Sequence, residues 1–373
     1  MNKPKVLHII TRFIRAGADE NTLITAIGNT KKYDVTLAFG TAYNNEFVEK
    51  AKKCGIKIKV FKTLKHNNFF LYLPALVEIF LYIKKEKFDI VHTHTSEAGF
   101  LGRIAAKMSG VPIIIHTIHG PSFTEQRNFL INNCAILLER ICAKFTHKII
   151  SNADTLTDDY LSKKIGRKEQ YITVRSGIDL KRFSPKPLPN NKVVTFLFAG
   201  RLAEQKGLIN LILAANKLKK ENIKFLIAGD GELREDLKKK IQYFNLKNVE
   251  MLGEVKDILP LLEKSDVVIV PSLFEGTPRI IYEAMAVGRA VIASDLPGVR
   301  VQVINGKTGI LVKPGDVDEL AEKILLLAKN KELRERMGRE ATKFSKDFGK
   351  ENLVKGVEKV YEEMLKKKRI KTN

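Results

Sequence analysis

FSPKPLPNNKVVTFLFAG, residues 183–200, decides how the chain folds. Three prolines in its first half cannot continue a helix or a central strand, and an apolar run, VVTFLFAG, starts directly after them. Before this stretch, VLHII, YDVTLAFG, IKIKVF, FDIVHTH, VPIIIHT and HKIIS alternate with amphipathic sequence; after it the alternation restarts with IKFLIAGDG, NVEML, DVVIVPS, RAVIAS and GILV. Short apolar runs separated by helical sequence are what a parallel sheet with crossover helices requires. The fold class is therefore α/β, with two doubly wound Rossmann-like domains. The expected boundaries are 1–186 and 187–345, with a charged helical segment, 346–373, able to pack back on the first domain.

A chain of 373 residues with 44% hydrophobic content is long and apolar enough for two ordinary cores. The formal charge is +23, with about +14 in residues 1–190 and about +9 in the remainder. Such a surplus favours anionic partners: nucleic acid, phosphorylated substrates or an anionic membrane face. No aromatic-basic stacking motif accompanies the charge, so no nucleic-acid partner is expected. Cys54, Cys134 and Cys142 are scattered, without metal spacing, and fit a reducing compartment. MNKPKVLHIITRF reads as a first strand rather than a signal peptide. FFLYLPALVEIFLYI (Phe69–Ile83) falls short of the about 18–20 residues of a span and is broken by Pro74 and Glu78. It ends in Lys84-Lys85, which suits docking on an anionic membrane; the alternative is a helix that covers the sheet. The expected location is the cytoplasm, with peripheral contact at the inner face of the membrane.

In doubly wound sheets ligands lie beyond the carboxyl ends of strands, so the loops after the apolar runs are where chemistry belongs. EGTPRIIYE (Glu275–Glu283) follows such a run. Thr277 reads as an N-cap and Pro278 as a first-turn residue, which leaves the amides of Arg279, Ile280 and Ile281, after the Gly276 loop, at a positive helix end suited to an anion. Glu275 and Glu283 each offer two acceptor oxygens, matched to the vicinal hydroxyls of sugars attached to that anion; the alternative is a solvated carboxylate at each place. In FAGRLAEQKG a strand ends at Gly200, and Arg201 and Lys206 can converge on a diphosphate, although each alone reads as a surface charge. Gly229 and Gly231 of IAGDGELR add a flexible loop that also reads as an ordinary turn.

In the first half, TRFIRAGADEN places Gly17 between Ala16 and Ala18 at a helix start, where backbone can approach phosphate; without GxGxxG, a dinucleotide fingerprint is a poor reading. His92, His94, His116 and His119 sit at the ends of neighbouring strands. They allow a metal site, but no carboxylate accompanies them at ligand spacing. The preferred reading has one or two lining a cleft, with His119, before Gly120 and Pro121, the best placed for substrate. Asp316-Val317-Asp318, with Glu319, reads as a helix cap rather than a metal motif. No metal and no cofactor are expected.

Together these motifs resemble the retaining GT-B glycosyltransferases of family 4, the glycosyl transferases group 1. The resemblance runs through FAGRLAEQKG, SLFEGTPRIIYEAMAVGRAVIASDLPGVR and NGKTGILVKPGD in the second half, and RAGADEN, HTHTSEAGFLGRIAAKMSGVP, HTIHGPSF and RSGIDLKRF in the first. It implies two facing domains, a nucleotide-sugar donor, a UDP sugar by family prevalence, held by the second, and a saccharide or lipid-linked saccharide acceptor held by the first, in cell-envelope glycan synthesis. It further implies that Arg201 and Lys206 bind the diphosphate, Glu283 the ribose, Glu275 the transferred sugar, and the amides around Pro278–Ile281 the phosphate. Gly17 would give its backbone to the diphosphate, and His119 would reach the reacting side of the sugar. Two departures bear on the fine geometry and the sugar: Ala16-Gly17 where the family often has paired glycines, and Val301 where many members carry a glutamate. The implied mechanism is metal-independent front-face transfer with retention. Rival readings are a nucleotide-sugar epimerase of the same architecture and a basic nucleic-acid binder.

Overall fold

The computed structural model describes residues 3–14, 16–120, 122–123 and 128–372. The chain forms two compact units, Met1–Gly177 with Lys350–Asn373, and Ile178–Gly349. In the first, seven parallel strands, β1 (Lys5–Ile10), β2 (Asp34–Phe39), β3 (Lys57–Val60), β4 (Ile90–His94), β5 (Ile113–Ile118), β6 (Lys148–Ser151) and β7 (Tyr171–Thr173), lie in the order β3-β2-β1-β4-β5-β6-β7. The central strands β4 and β5 are buried throughout, as expected for a sheet covered on both faces. The edge strand β7 has no counterpart among the apolar runs, because three half-buried residues show no periodicity.

The second unit holds β8 (Val194–Ala199), β9 (Ile223–Ala228), β10 (Val249–Gly253), β11 (Val267–Val270), β12 (Ala290–Ser294) and β13 (Gly309–Val312), again parallel, in the order β10-β9-β8-β11-β12-β13. Strand order reverses between β1 and β4 in the first unit and between β8 and β11 in the second. Crossover loops diverge at such switch points and leave a crevice at the carboxyl ends.

One segment sits differently from what the prolines suggest, and the C-terminal helix packs on the first unit. FSPKPLPNN lies inside the second unit, where Phe183 is buried in the core and the buried guanidinium of Arg289 donates to the carbonyls of Lys186 (2.8 Å) and Pro187 (2.9 Å). Proline removes a donor but keeps its carbonyl, so a proline-rich stretch can still be pinned by a buried cation. The helix Lys350–Thr372 belongs to the first unit. Leu353, Val357, Val360, Tyr361 and Met364 form one apolar face in the core with Val6, Ile10, Leu23 and Ala26. It crosses the helix Gly17–Asn29 so closely that a Cβ at Gly28 would lie 2.4 Å from Val354.

Candidate active site

In the second unit, the loop after β8 and the loop after β11 flank the switch point. They are tied together: Leu273 N donates to Gln205 O (2.8 Å) and Gln205 Nε2 to Phe274 O (3.1 Å). That pairing brings the ammonium of Lys206 onto the carboxylate of Glu275, as a half-buried ion pair. The turn depends on Gly207, at φ +63°, where a Cβ would lie 2.0 Å from Pro271 O. Arg201 is exposed at the start of the same loop. Gly229 backs this loop, since a Cβ there would lie 1.9 Å from Gly200 O, and Gly231 approaches Leu202 in the same way, with a Cβ 2.6 Å from Leu202 O.

The helix after β11 runs Arg279–Val287. Its N-cap is Pro278, in an extended conformation, with no side-chain cap bond, so the expected N-cap at Thr277 is off by one residue. The reason is tertiary: Gln302 Nε2 donates to Pro278 O (3.0 Å) and fixes the chain just before the first turn. The amides of Arg279, Ile280 and Ile281 remain the first of the helix, the last of them close to Pro278 O at 3.2 Å. Arg279 lies 3.5 Å from Glu283 one turn on, and both side chains are nearly buried. Gly276 touches Gly298, where a Cβ would meet Gly276 O at 1.9 Å. The loops after β8, β11 and β12 thus gather Lys206, Glu275, Gly276 and the helix start at one end of this sheet.

In the first unit, a cavity of about 250 Å³ opens at the carboxyl ends of β1, β4 and β5. His116 and His119 line it, with Ala16 and Ala18 on either side of Gly17, which opens the helix Gly17–Asn29; Pro121, beside His119, lies outside the described residues. Asp19 takes the amide of Ala16 (3.1 Å) at that helix start. Burial pushes its carboxyl up to about 7, against the N–H groups of Ala16 and Ile14. A carboxyl already occupies part of the anion-binding end that Gly17 was expected to offer.

Further lining groups were not picked out from the sequence. His66 Nδ1 sits 2.6 Å from Glu97, whose other oxygen accepts from Thr11 Oγ1 (3.3 Å). Thr11 Oγ1 also meets Thr95 Oγ1 at 2.9 Å. Thr95 has φ +60° and ψ 171°, a conformation that costs a β-branched residue about 1–3 kcal/mol and concentrates at functional sites. No spacing rule flags these residues, because His66 and Thr11 come from two separate loops and Glu97 from the first turn of the helix Ser96–Met108.

The histidines form a connected set, joined by His8 of β1 and Tyr361 of the C-terminal helix. His94 bridges His8 (2.9 Å) and His119 (3.1 Å), and His92 bonds Tyr361 (2.6 Å) and Thr117 (2.6 Å). Tyr361 also reaches His8 Nε2 (3.3 Å), while His116 bonds Thr93 (2.9 Å). Burial lowers His8 to about 3 and His119 to about 4, and holds His92, His94 and His116 well below the ordinary imidazole value, so these rings are neutral at pH 7. Ring nitrogens of His8, His92 and His94 lie within 4.8 Å of one another, close enough for a shared ion, yet all six already have hydrogen-bond partners. Asp316 accepts from Glu319 N (3.0 Å) as the cap of the helix Val317–Lys329.

Two doubly wound parallel sheets, each with its polar loops at a switch point, define a two-domain Rossmann-like α/β protein. The second half matches the family described as "Glycosyl transferases group 1" over residues 180–344, and the first matches "Glycosyltransferase Family 4" over residues 25–182. The chain belongs to the group 1 glycosyltransferases of GT-B fold, and it is a glycosyltransferase. It is 34% identical over 313 residues to the UDP-Gal:alpha-D-GlcNAc-diphosphoundecaprenol alpha-1,3-galactosyltransferase of Escherichia coli, covering 77% of this chain and 78% of that one. It is 26% identical over 345 residues to the N,N'-diacetylbacillosaminyl-diphospho-undecaprenol alpha-1,3-N-acetylgalactosaminyltransferase of Campylobacter jejuni, covering 86% and 90%. The fold superimposes on Anabaena HepE in complex with UDP with a TM-score of 0.81 at 20% identity, covering 96% and 100% of the two chains.

Proposed function

We propose that this enzyme transfers a sugar, with retention at the anomeric carbon and without a metal, from a UDP sugar to a lipid-linked saccharide in cell-envelope glycan synthesis. The observation that carries the reading is the convergence of Lys206 and Glu275 beside the first amides of the helix Arg279–Val287. That end of the sheet offers a cation, helix amides and a carboxylate together, the groups that a sugar diphosphate needs. Arg201 adds a second, exposed cation on the same loop. As the anomeric C–O bond breaks, charge develops on the departing diphosphate, and these donors stabilise it. The acceptor hydroxyl attacks from the same face, and its proton passes to the departing phosphate. Support for uridine and for a lipid diphosphate acceptor comes from the activity for which the Escherichia coli relative is named and from the UDP bound to HepE. The test is transfer of labelled sugar from a panel of UDP sugars to GlcNAc-diphospho-undecaprenol, in EDTA, with the anomeric configuration of the product read by NMR. No labelled lipid from any donor, an inverted product, or loss of transfer in EDTA each removes the corresponding part of the proposal; free sugar without acceptor would favour an epimerase.

The two glutamates separate by role. Glu283, held by Arg279, is assigned to the ribose, and Glu283→Ala weakens UDP and the UDP sugar alike by about 1.5–3 kcal/mol. Glu275 is assigned to the transferred sugar. Because Glu275 also neutralises Lys206, Glu275→Ala leaves UDP affinity unchanged or tighter while lowering turnover. Calorimetric titration with UDP decides it, and equal losses in both variants would show that the roles are misassigned.

The acceptor reading extends to the membrane. Among the described residues, no helix is long and apolar enough to cross one. The helix Tyr72–Glu86 buries Ala75, Ile79 and Ile83 on one face and, with the turn before it, exposes Phe69, Phe70, Leu73, Val77 and Leu81 on another. It therefore covers the sheet and still presents an apolar stripe ending at Lys84 and Lys85. The helix Phe129–Ala143 exposes Phe129, Leu130 and Ile131, and the helix Ser96–Met108 contacts both neighbours. Apolar side chains flanked by lysines suit reversible binding to anionic lipid, at about 1 kcal/mol per basic residue, weakened by salt. The protein should pellet with phosphatidylglycerol vesicles at low salt and much less in the Phe69→Ser, Phe70→Ser double variant. Absence of pelleting at low salt disproves the docking.

A further inference from the structure

Four histidines of the first unit, His8, His92, His94 and His119, form with Thr117 and Tyr361 an unbranched sequence of hydrogen bonds with both ends in one place. From Thr117 Oγ1 it passes to His92 Nε2, from His92 Nδ1 to Tyr361 Oη, on to His8 Nε2, from His8 Nδ1 to His94 Nε2, and from His94 Nδ1 to His119 Nε2. Thr117 and His119 both line the cavity at the ends of β1, β4 and β5. Among the described residues, His119 Nδ1 is buried without a hydrogen-bond partner. A neutral imidazole carries one N–H and one bare nitrogen. A bond between two rings therefore fails if both facing nitrogens are protonated, or if neither is.

With the Tyr361 hydroxyl donating to one ring and accepting from the other, two proton arrangements satisfy the whole series. In one, every histidine carries its proton on Nε2: His119 donates to His94, His94 to His8, His8 to Tyr361, Tyr361 to His92, and His92 to Thr117. The threonine hydroxyl is then free to donate into the cavity, while His119 Nδ1 accepts. In the other, every proton sits on Nδ1 and every bond reverses, so Thr117 accepts and His119 Nδ1 donates. A mixed set leaves a buried donor facing a donor or an acceptor facing an acceptor, or, where His8 and His92 both donate to Tyr361, leaves the phenol hydrogen without an acceptor; each costs a buried hydrogen bond.

We propose that Thr117, His92, Tyr361, His8, His94 and His119 form one proton-ordered relay, in which the four histidines share a single tautomer and the two ends always offer opposite hydrogen-bonding polarity to a hydroxyl-bearing ligand in the cavity. A sugar hydroxyl donates to one end while a neighbouring hydroxyl accepts from the other, and a concerted shift along the relay exchanges the two roles without creating a charged ring. The shift balances only through the ligand: one hydroxyl gives its proton to one end of the series, a neighbouring hydroxyl takes a proton from the other end, and a proton passing between the two hydroxyls closes the circuit, so the number of protons on each ring and on each hydroxyl is unchanged. Tyr361, which is not part of the cavity lining, is then a positioning residue that sets the polarity of His119. Only the identity of the ligand rests on the proposed glycosyl transfer; the shared tautomer does not.

The test is a long-range ¹H–¹⁵N correlation spectrum of the imidazoles in the full-length ¹⁵N-labelled protein at pH 7, with and without UDP. The expected result is four neutral rings, His8, His92, His94 and His119, all Nε2–H or all Nδ1–H. A mixed set overturns the relay, and so does stoichiometric zinc in the purified protein that is lost on His92→Ala. Tyr361→Phe cuts the series between His8 and His92. It should let His92 differ from the other three and lower turnover about tenfold while UDP affinity stays within about twofold. If the rings of Tyr361→Phe keep a common tautomer at full turnover, the relay is rejected; if this variant does not fold, the wild-type spectrum decides alone. Failure of sugar transfer with a uniform set of tautomers would count against the glycosyl-transfer reading and leave the relay standing.

Discussion

Replacing Arg201 and Lys206 together by alanine is expected to lower turnover by about 10³-fold or more, without loss of the folded state. Removal of one preorganised donor from a developing oxyanion costs about 10²–10³ in rate. On the proposed assignment the two cations share one diphosphate charge, so their single losses should sum to more than the double loss. The ion pair of Lys206 with Glu275 adds a distinguishing sign. Lys206→Ala leaves the Glu275 carboxylate uncompensated at the proposed diphosphate site and should therefore weaken UDP, whereas Arg201→Ala removes an exposed cation and leaves that pair intact. Steady-state kinetics on each variant, with thermal unfolding as the control for folding, reads both effects. Near wild-type turnover in the double variant refutes the assignment.

The largest loss of stability is expected in the first unit, from Arg103→Ala. Arg103 is fully buried, donates Nη2 to Glu139 (2.7 Å) and Nε to Gly99 O (2.7 Å), and Glu139 also accepts from Ser122 (3.3 Å). Truncating the guanidinium leaves Glu139 as an uncompensated buried carboxylate, at a cost of about 3–5 kcal/mol. Replacing both partners by apolar residues of similar volume should recover most of that loss, because neither charge then remains to be desolvated. Urea unfolding of the three variants measures it. A loss below about 1 kcal/mol in Arg103→Ala would mean that water reaches the pair.

The alternation of apolar runs and helical stretches was enough to place twelve of the strands within two doubly wound units, because a strand buried on both faces must be apolar whatever surrounds it. The residues proposed for the donor were equally legible, since Gly200 to Lys206 and Glu275 to Glu283 are contiguous segments that directly follow β8 and β11. Local sequence has weaker control over what a segment meets. Thr277 has the chemistry of an N-cap, yet the cap falls on Pro278 because Gln302, from a different loop, holds its carbonyl. The prolines from Phe183 onward signal a break in regular structure, yet a buried Arg289 anchors them within one unit. The first-unit cluster depends on tertiary structure most of all. Tyr361 and His8 are 353 residues apart, and neither has a spacing pattern linking it to His92, His94 or His119. They meet because β1 lies beside β4 at the centre of the sheet and the last helix packs across it. Burial there removes water as a hydrogen-bond partner, so the polar groups must find one another; that requirement acts on positions in space, which a pattern along the chain does not encode.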